Sequence, residues 1–146
     1  MKKNKAFTLI ELVISISIIL VLLSIGGLNF KIRDRVQARE QVKELALDLK
    51  FLKNYSQINN LRTSMILSEE GYSINFGKKS KEVKFNSLLK LESTNLSEIT
   101  FSKKGKPSYL NKKSSAGTMI FSIGDKKYKI TIQPVTGKVN FIDYKE

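Results

Sequence analysis

From Phe7 to Ile25 the chain carries a single ionisable side chain, Glu11, in an otherwise apolar run of 19 residues interrupted only by Thr8 and three serines. As a helix this run is about 28 Å long, close to the hydrocarbon thickness of a bilayer, and it predicts a segment able to span a membrane. From Lys31 to about Asn60 the pattern becomes amphipathic. Val42, Leu45, Leu49 and Leu52 recur at three- and four-residue steps, and Ile32, Val36, Phe51, Tyr55 and Ile58 broaden the stripe. This predicts a continuation of the same helix, apolar toward a sheet and charged on the opposite face. Gly26 and Gly27 at the exit of the apolar run predict bending or local melting rather than a fixed proline kink.

After Leu61 the period drops to two. Arg62 to Leu67 and Tyr72 to Phe76 flank Ser68-Glu69-Glu70-Gly71 and predict a hairpin, with further strands at Lys81 to Phe85 and Glu98 to Phe101. Thr118 to Ile123, Tyr128 to Gln133 and Lys138 to Ile142, joined by Gly124-Asp125-Lys126-Lys127 and Pro134-Val135-Thr136-Gly137, predict a meander. Ser102 to Gly117 reads as a polar loop. The fold class is therefore α+β: a long N-terminal helix packed on a small, mainly antiparallel sheet.

Glu11 is the residue that a simple anchor does not explain. A carboxylate at the centre of a membrane helix costs on the order of 2.5–3.5 kcal/mol, and less near an interface, so it asks for a partner. It stands in the string Lys5-Ala6-Phe7-Thr8-Leu9-Ile10-Glu11, a basic leader running directly into the apolar segment. That string resembles the N-terminus of type IV prepilins and pseudopilins. The resemblance implies removal of residues 1–6 after Ala6 by a prepilin peptidase, which also methylates the new amine on Phe7, and an assembly role for Glu11. Ala6 stands where the family more often has glycine. Two other readings of the same residues are an ordinary signal peptide cleaved near Ser24-Ile25-Gly26 and an uncleaved anchor with Glu11 snorkelling to the headgroups. The first has an apolar core longer than the usual 7–15 residues. Both leave the position of the motif unexplained.

Cleavage would place a positive amine on Phe7, four residues and about 6 Å along the helix axis from Glu11. Within one subunit the helix dipole favours the acid there. In a family-like filament the carboxylate would meet the Phe7 amine of a neighbouring subunit, in a water-poor core where an unpaired charge is heavily penalised. Lys2, Lys3 and Lys5 precede the run with no acid among them, which holds Met1 in the cytoplasm and sends the C-terminal part outside. The expected organisation is a leader at 1–6, a membrane and filament-core helix at 7–30, an amphipathic helix at 31–60 and a β-rich domain at 61–146.

Composition narrows the chemistry. The 146 residues hold no cysteine and no histidine, which removes disulfides, thiolate nucleophiles and imidazole catalysis. No nucleophile and base pair, metal cluster or phosphate-cradling glycine loop is recognisable, so neither an enzyme nor a cofactor or metal is expected. The net charge is +13, and losing three leader lysines leaves 23 basic against 13 acidic side chains, a net +10. Such a balance favours anionic partners, although lysine bias alone produces it too. Lys103, Lys104, Lys106, Lys112 and Lys113 cluster in the polar loop with Tyr109 available for stacking, and Lys126, Lys127 and Lys129 lie on the terminal hairpin. These are the candidate residues for binding DNA or another anion without reading sequence; solvated surface is the plainer reading.

The strings Ile99 to Pro107, Gly117 to Phe121, Tyr128 to Ile132 and Thr136 to Val139 look like the globular domain of H-type minor pseudopilins, a group shared by type II secretion and Gram-positive competence systems. The resemblance implies a minor subunit of a filament for DNA uptake or protein secretion. Its partners would be other pilin subunits and, indirectly, an assembly platform and ATPase; its location would be the cell membrane and then the extracytoplasmic filament. The alternative is a ligand-binding subunit whose lysines hold DNA.

Overall fold

The computed structural model describes residues 8–110 and 113–144, apart from the side chains of residues 25–31, 109, 110 and 113. One helix, α1 (Leu9–Ile58), is followed by ten strands: β1 (Thr63–Leu67), β2 (Gly71–Phe76), β3 (Lys79–Lys84), β4 (Leu89–Thr94), β5 (Glu98–Phe101), β6 (Tyr109–Leu110), β7 (Lys113–Ser114), β8 (Gly117–Ile123), β9 (Lys126–Ile132) and β10 (Val139–Tyr144). The chain divides into two compact units, Met1–Asp34 and Arg35–Glu146.

In the first unit the large apolar side chains from Leu9 to Leu23 are exposed, and Ser15, Ser17 and Ser24 return their hydroxyls to the carbonyls of Glu11, Val13 and Leu20 at 2.7–2.8 Å. A serine that donates back to the preceding turn presents little polarity outward. The backbone is helical at Gly26 and Gly27, so the local melting expected there is absent.

The second unit holds the core. Here α1 ends in a Schellman arrangement: Asn60 takes a positive φ of 52°, and the Leu61 amide donates to the Ser56 carbonyl at 3.2 Å. The strands form two four-stranded sheets, ordered β3-β2-β1-β5 and β10-β9-β8-β4, with a two-stranded β6-β7 pair. All described pairings are antiparallel. The expected hairpin and meander are present. The single sheet anticipated from sequence is instead two, and β4, which the alternation did not reveal, forms an edge of the second. Its pattern is interrupted by a register shift between Leu91 and Ser93, which spoils the two-residue period. The polar loop also contains local order: β6 pairs with β7, and the buried Ser115 hydroxyl accepts from the Thr100 amide at 2.9 Å.

Ala38, Val42, Leu45, Ala46, Leu49 and Leu52 bury one face of α1 in a cluster with Met65, Ile74, Ile99, Phe101, Met119, Phe121 and Ile130 from both sheets. Thr63 at the start of β1 reaches back to the Leu52 carbonyl at 3.0 Å, which fixes the chain as it leaves the helix. Gly71 lies where a Cβ would overlap the Val83 carbonyl oxygen, so β2 and β3 approach as closely as they do only because that position lacks a side chain.

Of the broader part of the expected helix stripe, Tyr55 is half-buried while Val36, Phe51 and Ile58 are exposed; with Leu47, which the stripe did not include, these three fall within about 60° of one another at 3.6 residues per turn, on the far side of α1 from Val42 and Leu49. Ile32 is exposed as well. Phe51 and Tyr55 meet each other at 5.6 Å and both meet Phe76 on β2 edge-on, with centroids 5.2 and 5.3 Å away. Exposed Glu40 and Asn54 fall in the same sector, so this side of α1 is mixed, with apolar residues among polar ones.

A polar link joins α1 to the first sheet. The Tyr72 hydroxyl donates to Asp48 at 2.7 Å, and Lys81 spans Asp48 at 2.9 Å and Glu44 at 2.7 Å. Burial raises the Tyr72 pKa, and the hydrogen bond to Asp48 raises it further. For Lys81 burial acts downward but is outweighed by hydrogen bonds to Glu44 and Asp48, leaving a net rise. Both groups hold their protons more tightly folded than unfolded, so their contribution is complete below about pH 10 and is lost as pH climbs through the raised folded values. Thermal stability is expected to fall between about pH 10 and 11, and Tyr72→Phe to flatten that fall. Melting curves across this range test it; identical pH slopes in the two proteins would refute it.

Candidate functional site

At the start of α1, Thr8 and Glu11 form a reciprocal cap. The Glu11 carboxylate accepts from the Thr8 amide at 3.1 Å and the Thr8 hydroxyl at 3.0 Å, while the Glu11 amide approaches the Thr8 hydroxyl oxygen at 3.4 Å. Thr8 is the N-cap and Glu11 the third helical residue, the spacing of a capping box. The Thr-x-x-Glu signal was present in the sequence but was not read as a cap. Its consequence is that Glu11 has a local partner in an isolated chain and is oriented toward the N-terminal end of its helix. An amine arriving from outside would find this carboxylate on an exposed helix end. Ala6 and Phe7, the expected processing and methylation positions, lie outside the described residues.

Among the described residues no helix is long and apolar enough to cross a membrane. The described apolar stretch, Leu9–Ser24, is 16 residues, about 24 Å of helix, while the sequence carries the run on to Ile25.

The expected basic residues fall into two separate groups. Lys103, Lys104 and Lys106 are exposed on a turn closed by the Gly105 amide donating to the Ser102 carbonyl at 2.7 Å and the Ser102 amide donating to the Lys106 carbonyl at 2.9 Å. Gln57 near the end of α1 clips this turn by donating to the Lys104 carbonyl at 3.1 Å. Lys126 and Lys129 belong to β9, whose turn with β8 lines a depression with Arg35, Val36 and Arg39 at the opposite end of this part of α1. Some 20 helical residues, about 30 Å, separate those ends. Lys126 is exposed, and Lys127 and Lys129 are half-buried on the outer face of the strand, alternating with the buried Tyr128 and Ile130. Lys112 lies outside the described residues, as do the side chains of Lys113 and Tyr109, so the expected stacking partner has no described position. Sequence reasoning missed Lys50, Lys53 and Lys138, which the fold gathers beside β10. No local spacing pointed to them, since 85 residues of chain separate Lys53 from Lys138.

Residues 1–27 match a family model described as the prokaryotic N-terminal methylation motif. No curated protein sequence matches the chain. In structure the chain is similar to the type IV minor pilin FimU of Pseudomonas aeruginosa strain PAO1, with a TM-score of 0.56 at 13% identity, over 74% of this chain and 90% of that one. At such low identity the likeness speaks for the fold, and the methylation motif supplies independent support at the N-terminus.

Proposed function

We propose that the chain is a type IV pilin-like protein and, within that class, an H-type minor subunit; the N-terminal methylation motif and the fold shared with a type IV minor pilin support this reading. It would be cleaved between Ala6 and Phe7 and methylated on Phe7 by a prepilin peptidase, then assembled through α1 into a filament that serves DNA uptake or protein secretion. The observation that carries this reading is a methylation motif over residues 1–27 that runs into a helix whose large apolar side chains from Leu9 to Leu23 are exposed. About a dozen exposed Leu, Ile and Val side chains between Leu9 and Leu23 require lipid before assembly and neighbouring helices afterwards. In the subunit waiting in the membrane, residues 7–30 would be the spanning segment. The exposed Val36, Leu47, Phe51 and Ile58 of α1 support packing against other subunits beyond the membrane part. Intact mass measurement of the filament-associated protein tests the proposal. The expected species begins at Phe7 and carries one methyl group on its amine; a first residue elsewhere would end it. Deletion in the producing cell separates the two tasks, by loss of transformation or by loss of secreted protein.

A second role has its own support, the exposure of Lys103, Lys104 and Lys106 on one braced turn. Three such cations can contact phosphates without reading bases. Replacing all three by Glu is expected to weaken duplex DNA binding by the full chain in non-ionic detergent at least tenfold and to lower its salt slope by roughly 2–3. Unchanged affinity and slope would remove the DNA role and leave assembly untouched.

A further inference from the structure

The two four-stranded sheets present four outer strands, and three of them are guarded. β3 carries Lys79, Lys81 and Lys84 along its six residues, β4 is interrupted by the register shift at Leu91/Ser93, and the four-residue β5 is closed over by the Phe101–Pro107 bridge. Lysines, irregular register and short length are the usual means by which a sheet refuses another strand. β10 has none of these. Its six residues contain one charge, Asp143, and that side chain is engaged by Arg39 at 3.1 Å.

The direction of its free backbone groups follows from the register. The Gln133 amide donates to the Lys138 carbonyl at 3.0 Å, which makes that pair the hydrogen-bonded kind. Pairs alternate in an antiparallel ladder. With Val139 opposite Ile132 and Phe141 opposite Ile130, the amides and carbonyls of Val139, Phe141 and Asp143 point away from β9. Between β10 and α1 lies an open groove of about 760 Å³ whose lining includes Val139 and Phe141. Lys50 and Lys53 stand on its helix side, Lys138, Asn140 and Ile142 on its strand side, and among the described residues no acidic one lines it.

We propose that this groove receives an extended, acidic segment of a partner protein, which pairs with β10 as a fifth strand of the second sheet while its carboxylates meet Lys50, Lys53 and Lys138. The backbone ladder gives the affinity, and the lysines together with Ile142 select alternating acidic and apolar side chains. An extended peptide satisfies both halves of the site. A nucleic acid strand uses the lysines and leaves the amides of Val139, Phe141 and Asp143 unpaired. The groove adjoins the lysine turn at 103–106, since Gly137 beside Lys138 packs against the Gly105 carbonyl, so the backbone-methylated peptide below is what separates strand pairing from an ionic role shared with that turn.

The test uses the full chain in non-ionic detergent and a fluorescein-labelled ten-residue peptide alternating Val and Glu. Saturable binding is expected by fluorescence anisotropy, with slowed amide exchange at Val139, Phe141 and Asp143. The pair Lys50→Glu and Lys53→Glu is expected to weaken it at least tenfold, as is Lys138→Glu alone in a second variant. A peptide of the same side chains methylated on alternate backbone nitrogens is expected not to bind. Equal binding of the methylated peptide reduces the site to a charged surface and overturns the proposal. So does unchanged affinity in both variants, or displacement of the peptide by a single-stranded oligonucleotide that binds more tightly through the same lysines.

Discussion

Replacing Glu11 by Gln is expected to remove the subunit from filaments while leaving it made, inserted and processed. The geometry makes this substitution unusually informative, because Glu11 has two separable roles. As a cap it accepts from the amide and hydroxyl of Thr8, and a Gln oxygen at the same position does so equally well. As a charge it would neutralise the Phe7 amine of a neighbour, and Gln cannot. Leaving one member of a buried ion pair alone costs about 3–5 kcal/mol, more than a hundredfold in the partition between membrane and filament. Immunoblots of sheared filaments against membranes, with the mature mass checked in the membrane fraction, give the measurement. Glu11→Ala removes the cap as well and adds about 1 kcal/mol of local helix loss. Wild-type incorporation of Glu11→Gln would show that charge pairing is not what brings the subunit into register.

The largest effect on stability is expected at Phe121. Its ring is fully buried in β8, between the helix face and the second sheet, and meets Phe85 edge-on at 5.7 Å. Phe121→Ala removes that contact and opens a cavity that two sheets and a helix cannot close together, at about 3–5 kcal/mol. For a domain of this size that is a drop in Tm of roughly 10–20 °C. Ile66→Ala on β1, whose side chain is half exposed, is the matched comparison and is expected to shift Tm by only a few degrees, within about 1 kcal/mol. Similar shifts for the two variants would contradict the placement of the core.

Most of the elements were legible because their signals are local. The apolar run, the three- and four-residue steps at Val42, Leu45, Leu49 and Leu52, and the alternation in β1, β2, β5, β8 and β9 each declare themselves within a few residues. β4 did not, since Leu89-Lys90-Leu91 gives way to a register shift before the alternation is established. Phe51 and Val36 were drawn into the core stripe because a hydrophobic residue on a helix does not say which object covers it. Periodicity reports apolarity; only the folded sheets show which side of α1 they cover and that Val36, Leu47 and Ile58 stay exposed.

The N-terminal chemistry was similarly divided. The acid, the basic residues before Phe7 and the position of the motif follow from residue order alone, because a signal of this kind is a contiguous segment. The Thr8 and Glu11 cap was written in the same segment and became visible only as hydrogen bonds.

By itself, then, the order of residues determined the long helix, the lone carboxylate near its start, the run of strands after residue 61 and the strongly basic balance, all properties of neighbours along the chain. Tertiary structure decided that the strands divide between two four-stranded sheets and a short pair, that Val36, Leu47, Phe51 and Ile58 of α1 stay exposed, that the lysines at 103–106 and 126–129 lie at opposite ends of the part of α1 after Arg35, and that Lys50, Lys53 and Lys138 share one groove beside an unguarded strand. Those facts depend on contacts between residues far apart in sequence, and no local period encodes which distant side chain will arrive.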